Sequence, residues 1–579
     1  MSSNTGNDDN QARLISAEEL YHSLKELNVI PLDLLSNAYK ESQTKKTSFQ
    51  EILIKKNLIS DSNLGGVMAD LINVPFVRLS EVGVDKQVLK IIPEIVAKKQ
   101  KLIAYKKDKD GLHIAMGNPR DEKIRSFIEK KVGTNLKIYY ATEQDINDGL
   151  SLYSKDVKEV FDEIINESLK KVKDPAKAEP SIVKIVDVII SYAYKNRASD
   201  IHIEPTDELS LVRFRIDGIL HDIITLPLDI HQQVVTRIKV LSNLRTDEHH
   251  EPQDGKINLE VEKEDLDVRV SIVPITNGEK IVMRLLSERS RQFTLSDLGL
   301  TEADLEKVKS AYKKPHGMIL ATGPTGSGKT TTLYAILKLL NKRDVNIMTI
   351  EDPVEYDIEG VNQIQANLKT DLTFTKGLRS IVRQDPDIIL VGEIRDEETA
   401  GISINAAMTG HLVLSTLHTN DSSTSIPRLL DMDIEPFLIS STINIIVAQR
   451  LVRKICTNCR VSQELKISEK ISENKMVDAK GKDLLDELMK KYFSGGDQRI
   501  YVGKGCEVCH DTGYTGRVGI FEVLVVDDEI RSAVNDRNDA SEIKKIAVKN
   551  GMSTMLEDGI FKIKQGITTL EEILRVTKE

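Results

Sequence analysis

Residues 323–330 read Gly-Pro-Thr-Gly-Ser-Gly-Lys-Thr, a glycine-rich run that ends in a lysine and a hydroxyl side chain. The glycines let backbone N–H groups surround phosphate oxygens without interference from a Cβ atom. Lys329 can reach β- and γ-phosphates, and the Thr330 hydroxyl can ligate Mg²⁺. The spacing G-x-x-x-x-G-K-[ST] therefore predicts a loop that binds a nucleoside triphosphate. The residues predicted to hold the nucleotide are Gly323, Pro324, Thr325, Gly326, Ser327, Gly328, Lys329, Thr330 and Thr331.

The four cysteines of the chain form two C-x-x-C pairs. Cys456 and Cys459 make the first pair, and Cys506 and Cys509 make the second. In a reducing compartment such pairs predict a structural Zn²⁺ held by four thiolates, because disulfides do not persist there. Four sulfur ligands leave no position for a reacting water, so a catalytic zinc is not expected. A knuckle that contacts DNA is the alternative, but acidic residues around the second pair disfavour phosphates.

The elements around the glycine-rich loop indicate the fold class. Residues 317–322 read as a buried strand before the loop, and residues 331–340 have the apolar spacing of a helix after it. Further strand patterns follow at 346–350, 387–393 and 409–418. Strands that alternate with helices predict a parallel α/β core of the RecA-like kind, with its ligand at the carboxyl ends of the strands.

Acidic side chains and histidines stand at the ends of these predicted strands. A carboxylate at such a position can hold Mg²⁺ through water or polarise an attacking water. The carboxylates are Glu351, Asp352, Glu355 and Glu393, and the histidines, at opposite ends of one segment, are His411 and His418.

Three blocks that contain these residues resemble motifs of one protein family. Residues 349–355, Thr-Ile-Glu-Asp-Pro-Val-Glu, are similar to the acidic Asp box of secretion ATPases. Residues 390–396 resemble their Walker B segment, and residues 409–420 resemble their His box. Together with the phosphate loop, these blocks resemble the hexameric motors of type IV pilus assembly and type II secretion, the PilB/GspE group. The resemblance runs from about Pro180 to the C-terminus, and more weakly through the N-terminal third.

This resemblance implies Mg²⁺-dependent ATP hydrolysis in a homo-hexamer. Glu393 is expected to position or deprotonate the attacking water, with Glu355 as the competing candidate. Glu351 and Asp352 are expected to order the water shell of Mg²⁺, while Lys329 binds phosphate.

Arginines and histidines complete the catalytic set that the resemblance implies. Arg269 and Arg284 are expected to donate to the γ-phosphoryl oxygens, His411 to sense the γ-phosphate, and His418 to brace it across the subunit interface. The helpers expected in the motor domain are Arg379, Arg383 and Arg395. The alternative for the arginines is pairing with neighbouring carboxylates, and for the histidines it is ordinary packing at strand ends.

The sequence divides into five segments. Residues 1–13 are expected to be a disordered lead-in, and residues 14–150 an N-terminal docking domain that is first helical and then α/β. A charged linker at 151–179 precedes a second N-terminal domain at 180–290. The ATPase domain follows at 291–579, and it includes a zinc-binding element at 450–520 and a C-terminal helical subdomain.

Some members of the family bind cyclic di-GMP through a motif in the helical module that begins Arg-Leu-Gly and ends in Gln. The corresponding positions here are Ser48-Phe-Gln50 and Leu71. They lack the arginine and the glutamine that would contact guanine, so cyclic di-GMP is not an expected ligand. The module is instead expected to dock on a membrane platform protein.

Charge and hydropathy limit the remaining partners. The formal net charge is −10 without a long basic run, which disfavours nucleic acid and hence a DNA translocase or packaging ATPase. No stretch approaches 18 apolar residues, and the N-terminus lacks a signal pattern. The chain is therefore expected in the cytoplasm, peripheral at the inner membrane through the platform protein and its cytoplasmic adaptors. The extended N-terminal module favours pilus assembly over a type II secretion pseudopilus.

Overall fold

The computed structural model describes residues 14–45, 48–56, 58–151, 163, 165–167, 178–261, 264–287, 293–464 and 499–577. The lead-in expected at 1–13, most of the linker expected at 151–179 and most of the segment between the two cysteine pairs lie outside these residues. The chain divides into two compact units, one formed by Met1–Ile72 with Phe293–Glu579 and the other by Asn73–Gln292.

Four helices form the N-terminal part of the first unit: α1 (Ala17–Leu27), α2 (Leu32–Lys45), α3 (Phe49–Lys55) and α4 (Asp61–Ile72). Helix α1 begins with a capping box, in which the Glu19 N–H donates to the Ser16 hydroxyl and the Glu19 carboxylate accepts from the Ser16 N–H. Leu20 and Leu24 lie one turn apart on its buried face.

The second unit contains a small mixed sheet. Strand β1 (Leu102–Asp108) pairs antiparallel with β2 (Gly111–Met116), which pairs parallel with β3 (Leu136–Tyr140). Every residue of β2 is buried, because apolar side chains pack on both of its faces. The helices of this lobe are α5 (Leu79–Val82), α6 (Lys86–Leu89), α7 (Glu94–Gln100), α8 (Glu122–Val132) and α9 (Glu143–Ser151).

A six-stranded antiparallel sheet forms the rest of the second unit. Its strands are β4 (Asp200–Pro205), β5 (Leu209–Ile216), β6 (Ile219–Pro227), β7 (Gln253–Val261), β8 (Glu264–Ile275) and β9 (Gly278–Ser287). Their order is β6-β5-β4-β9-β8-β7. Helices α10 (Ala178–Lys195) and α11 (Leu228–Leu241) contribute to its core. Along β5, the buried Val212 and Phe214 alternate with Arg213 and Arg215, so the two arginines share the other face.

The larger part of the first unit is built on a seven-stranded sheet. The strands after residue 293 are β10 (Gly317–Thr322), β11 (Ile347–Glu351), β12 (Asn362–Gln365), β13 (Ile388–Val391), β14 (Leu412–Leu417), β15 (Ile443–Ile455), β16 (Arg460–Glu464), β17 (Arg499–Gly503) and β18 (Tyr514–Val525). The sheet has the order β12-β11-β13-β14-β10-β15-β18, and β16 pairs with β17 separately. All neighbours in the large sheet are parallel except β15 and β18. The predicted parallel, RecA-like α/β core is therefore confirmed.

Successive residues of β10 face opposite sides of this sheet. Met318 and Leu320 pack in one apolar cluster, and Ile319 and Ala321 pack in another. Since both faces are covered, β10 is buried at every position. The helices of this part are α12 (Glu302–Tyr312), α13 (Lys329–Leu340), α14 (Phe374–Ile381), α15 (Glu397–Met408), α16 (Ser425–Leu430), α17 (Pro436–Thr442), α18 (Asp528–Asn535), α19 (Ala540–Lys549), α20 (Met555–Lys564) and α21 (Leu570–Thr577). In the part of the chain that the structure describes, no helix combines the length and apolar character that crossing a bilayer requires.

Candidate active site

The glycine-rich loop connects the end of β10 to the start of α13, at the carboxyl edge of the parallel sheet. Gly323, Gly326 and Gly328 all have positive φ, at 142°, 78° and 92°. A Cβ at Gly323 would lie 2.4 Å from the carbonyl oxygen of Gln449, so a larger residue cannot occupy this position without a shift of backbone. The loop therefore presents its backbone at the N-terminus of a 12-residue helix, which favours phosphate.

Lys329 is the first residue of α13, and its side chain folds across the loop. Its ammonium donates to the carbonyl oxygens of Gly323 at 2.7 Å and Pro324 at 3.1 Å. Burial lowers the pKa of Lys329, and the negative charge of Glu393 acts in the opposite direction. The predicted phosphate-binding lysine and the predicted base therefore interact electrostatically at the same site.

Glu393 follows β13 and leaves only 12% of its side chain exposed. One carboxylate oxygen pairs with Arg395 at 2.5 Å, and the other lies 3.1 Å from Nε2 of His418. His418 is the first residue after β14, the strand between β13 and β10. The structure therefore brings Glu393, Arg395 and His418 together at the sheet edge that carries the phosphate loop.

His411 lies at the other end of β14. Its Nδ1 is 2.9 Å from the carbonyl oxygen of Ala406 in α15. Its own carbonyl accepts from the N–H of Gly317, the first residue of β10, at 3.2 Å. Because β10 and β14 are parallel and pair along their full lengths, these strands separate His411 from the loop of its own chain. The structure does not bring it to the γ-phosphate position there.

Glu351 is the last residue of β11, and its carboxylate is buried. Three side chains donate hydrogen bonds to it. Its oxygens accept hydrogen bonds from Tyr334 at 2.5 Å, Thr349 at 2.6 Å and Gln363 at 3.3 Å. Burial, followed by the charge of Glu351, raises the pKa of Tyr334, so the phenol keeps its proton and donates it to the carboxylate. Glu351 is thereby fixed to α13, the helix that follows the phosphate loop.

Asp352 and Glu355 lie in the segment after β11. Asp352 is exposed, and its charge helps to raise the pKa of Arg395, after the larger effect of the hydrogen bond with Glu393. Glu355 is half-buried, and its backbone hydrogen-bonds with Tyr334. Because β11 and β13 are parallel neighbours, these residues follow the same edge of the sheet as Glu393.

The remaining expected helpers, Arg379 and Arg383, lie at α14 and are exposed. Arg379 pairs with Glu398 at 2.6 Å, and Arg383 donates to the Arg379 carbonyl oxygen at 2.7 Å. These contacts tie the two arginines to α14 and α15 in this arrangement.

Arg269 and Arg284 lie directly opposite each other on β8 and β9 of the second unit. Nε of Arg284 is 3.0 Å from one oxygen of Asp200, and Nε of Arg215 is 3.6 Å from the other. Pairing with a neighbouring carboxylate, the alternative considered for Arg269 and Arg284, is therefore present for Arg284.

Gln449 and Thr332 support the phosphate loop and were not predicted. Gln449 in β15 is buried; its Nε2 donates to the Ser327 carbonyl oxygen at 2.8 Å, and its Oε1 accepts from the Thr332 hydroxyl at 2.7 Å. The available signal was an amide within an apolar strand, which must find a partner when it is buried. The sequence does not reveal that partner, because it lies more than a hundred positions earlier.

The two cysteine pairs come together, as predicted. All four Sγ atoms lie within 4.8 Å of one another. The N–H groups of Cys506 and Gly513 donate to Sγ of Cys509, both at 3.2 Å, and Nδ2 of Asn458 donates to Sγ of Cys506 at 3.3 Å. Donors directed at sulfur stabilise thiolates. The cluster therefore fits a tetrahedral Zn²⁺ site.

A phosphate loop at the carboxyl edge of a parallel sheet, with a fixed carboxylate beside it, defines a P-loop ATPase with a RecA-like core. The chain belongs to the type II/IV secretion system protein family, whose model matches residues 175–575. Residues 72–159 match the MshEN domain. The resemblance to the PilB/GspE group is thus confirmed, and the protein is an ATPase.

Relatives of this chain work in two kinds of machine. It is 38% identical over 560 residues to the type IV pilus assembly ATPase PilB of Myxococcus xanthus, with 94% of this chain and 96% of the relative covered. It is 45% identical over 398 residues to the type II secretion system protein E of Aeromonas hydrophila, with 69% and 76% covered. The solved ATPase DotB of Legionella pneumophila is 21% identical, with 67% of this chain and 94% of DotB covered and a TM-score of 0.48.

Proposed function

We propose that this protein is a Mg²⁺-dependent, homo-hexameric ATPase that drives pilin polymerisation in type IV pilus assembly. The observation that carries the hydrolytic part is the convergence of Lys329, Glu393 and His418 at one sheet edge. The relative named as a pilus assembly ATPase aligns with almost the whole chain, and this supports the pilus assignment.

Type II secretion is the second candidate. The relative from that system has the higher identity, 45%, although over a shorter part of the chain. In that case the same hydrolytic cycle would drive a pseudopilus. A DNA translocase is a more distant alternative, and the net charge of −10 disfavours it.

The phosphate loop holds the triphosphate through its backbone N–H groups and the Lys329 ammonium. The Thr330 hydroxyl, on the first turn of α13, is the side chain that would ligate Mg²⁺, with Glu351 and Asp352 ordering its water shell. The bound ion would neutralise charge on the β- and γ-oxygens. The hydrogen bond from Tyr334 keeps the Glu351 carboxylate fixed against α13, the helix that follows the loop.

Glu393 is proposed to position and polarise the attacking water, with Glu355 as the competing base. Arg395 and His418 hold the two oxygens of Glu393, so the carboxylate keeps one orientation. Positioning of this kind is the main contribution that a protein makes to phosphoryl transfer.

The roles of the arginines are assigned by the family resemblance. We propose that Arg269 and Arg284 stabilise the γ-phosphoryl oxygens, with Arg379, Arg383 and Arg395 as helpers. Because His411 lies at the opposite sheet edge, contact with the γ-phosphate is assigned to His418. His411 then has a structural role where α15 meets β14.

We further propose that the four cysteines hold Zn²⁺. In this proposal the ATPase domain at 291–579 follows a docking domain at 14–150 and a second N-terminal domain at 180–290. The partners are an inner-membrane platform protein and its cytoplasmic adaptors, which place the motor at the cytoplasmic face of that membrane. Neither nucleic acid nor cyclic di-GMP is a proposed ligand.

The test is a Lys329→Ala substitution in the source cell, with filaments imaged by electron microscopy and secreted proteins assayed in the same cultures. Lys313→Ala, an exposed lysine of the same compact unit, is the matched control. Loss of filaments with normal secretion supports pilus assembly. Loss of secretion with intact filaments moves the protein to type II secretion. If filaments and secretion both persist although the purified variant does not hydrolyse ATP, the proposed motor role is wrong.

A further inference from the structure

Gln449 connects the phosphate loop to the neighbouring strand of the sheet. Strand β15 runs parallel to β10, and Thr322 at the end of β10 is level with Ala448. Gln449 is the next residue, so it lies beside the start of the loop. The residue is only 2% exposed. A buried amide needs hydrogen-bond partners. Here one partner is Ser327 of the loop and the other is Thr332 of α13.

The bond to Ser327 fixes the orientation of one peptide group of the loop. In a trans peptide the C=O and the following N–H point in opposite directions. Gln449 holds the Ser327 carbonyl toward β15 at 2.8 Å. The N–H of Gly328 is therefore directed away from β15. Gly328 has a φ of 92°, which residues with a side chain rarely adopt. The glycine therefore permits this orientation of the peptide, and the Gln449 amide holds it.

The Ser327 carbonyl determines which end of the Gln449 amide faces the loop, because a carbonyl oxygen can only accept a hydrogen bond. Nε2 therefore faces Ser327, and Oε1 accepts from the Thr332 hydroxyl at 2.7 Å. The backbone of Gln449 also lies against the loop, since a Cβ at Gly323 would come within 2.4 Å of its carbonyl oxygen. Gln449 thus contacts the loop near both of its ends.

We propose that Gln449 is a positioning residue for nucleotide binding, which holds the Ser327–Gly328 peptide with its N–H toward the bound phosphates. Its side chain is engaged by the loop and α13 and does not touch the nucleotide. The Gln449 side chain holds the same loop conformation when substrate is bound and in the transition state. Loss of its hydrogen bonds therefore weakens the binding of both. The effect therefore appears in nucleotide affinity and KM more than in kcat.

The experiment compares Gln449→Met with the wild type in the full-length chain. Methionine has a similar volume but cannot reproduce the two hydrogen bonds. Loss of a bond to a buried carbonyl is expected to raise the Kd for a fluorescent ADP analogue with Mg²⁺ about fivefold to thirtyfold. KM for ATP should rise in parallel, while kcat changes by less than about threefold.

Asn444→Leu is the matched control, because Asn444 is a second buried amide in the same strand. Its Nδ2 donates to the His316 carbonyl oxygen at 3.0 Å, and its Oδ1 accepts from Lys314 at 3.1 Å. It lies near the start of β15, level with the start of β10, whereas the phosphate loop follows the end of β10. It should lower thermal stability as Gln449→Met does, but leave the Kd for the ADP analogue within about twofold of the wild type.

Thr332 supplies an independent test. Thr332→Val removes the donor to Oε1 and leaves that buried oxygen without its partner, so it should raise the Kd for the ADP analogue. Thr332→Ser keeps the hydroxyl and should bind the analogue like the wild type. The proposal is overturned if folded Gln449→Met binds like the wild type, or if Asn444→Leu weakens binding equally. If Gln449→Met does not fold, an unchanged Kd for Thr332→Val overturns it instead.

Discussion

Two side chains contact the carboxylate of Glu393, the guanidinium of Arg395 and the imidazole of His418. Arg395 is largely exposed and keeps its charge at every accessible pH, and its hydrogen bond with Glu393 raises its own pKa further. His418 contacts the second carboxylate oxygen from the end of β14. A carboxylate with both oxygens engaged is restricted in rotation, which suits a group that must place one water molecule.

Replacement of Glu393 by Gln tests this assignment. The amide keeps the shape of the side chain but cannot accept a proton, so kcat for ATP hydrolysis should fall about 10²–10⁴-fold. The Kd for ADP should change little, because the phosphate loop is intact. Phosphate release under saturating ATP and binding of a fluorescent ADP analogue measure the two effects.

Glu355→Gln is the control for that experiment. Glu355 is the competing base, and it lies after β11 rather than after β13. A larger loss of kcat in Glu355→Gln than in Glu393→Gln would transfer the role of base to Glu355.

At the scale of elements, β15 connects three parts of the first unit. Gln449 contacts the phosphate loop, Arg453 pairs with Glu572 of α21 at 2.6 Å, and Cys456 follows the last residue of the strand. One strand thus contacts the phosphate loop and α21 and leads into the cysteine cluster.

The contact with Glu572 predicts a pH dependence of stability. Burial disfavours the ionised form, but hydrogen bonds from Arg575 and Arg453 outweigh it and lower the pKa of Glu572 from 4.5 to about 2. Since the folded-state pKa is below the unfolded one, this contact stabilises the fold above pH 4.5, and its contribution is lost as the pH falls toward 2. Glu572→Gln should therefore unfold at lower urea than the wild type at neutral pH, and the difference should shrink below pH 4.5.

Glu542→Gln is the control for the pH experiment, because Glu542 is an exposed residue of α19 whose pair with Lys545 contributes little. Its midpoint of urea unfolding should match that of the wild type. A constant difference between wild type and Glu572→Gln at all pH values would contradict the role given to ionised Glu572.

The cysteine cluster predicts one bound Zn²⁺ per chain. A chelator that removes it should lower the thermal midpoint, because the four sulfur ligands then lose the ion that joins them. Elemental analysis of the purified chain and thermal unfolding before and after chelation provide the measurement. Cys506→Ser should lose the metal, while the neighbouring exposed Lys504→Ala should retain it. A fully stable chain without metal would exclude a structural role for zinc.

Features of the site that depend on local sequence spacing could be predicted, whereas those that depend on contacts distant in sequence could not. The phosphate loop, the buried strand before it and the C-x-x-C pairs are local patterns, and their spacing alone predicts them. The placement of His418 at the site and of His411 away from it depends on strand direction, which becomes known only when β14 is seen parallel to β10. The support from Gln449 depends on strand order, because β15 is far from β10 in sequence but adjacent in the sheet.

At the scale of the whole molecule, the residues proposed for hydrolysis are divided between the two compact units. The phosphate loop, Glu393 and His418 belong to one unit, and Arg269 and Arg284 belong to the other. A cycle that uses both sets requires the units to act together, either within one subunit or between neighbours. In a closed ring with head-to-tail contacts, such a requirement couples the subunits.

Mixed rings measure this coupling. Wild-type chain is mixed with increasing fractions of Glu393→Gln, which should bind nucleotide and assemble but not hydrolyse it. If each subunit depends on its neighbours, the ATPase rate falls faster than the wild-type fraction, because one inactive subunit halts others in the same ring. Mixing with the active, exposed variant Lys313→Ala should leave the rate per chain unchanged, and sedimentation should give the mass of six chains in each case. A rate strictly proportional to the wild-type fraction would show that the subunits hydrolyse independently, and a monomer active at all dilutions would exclude the hexamer.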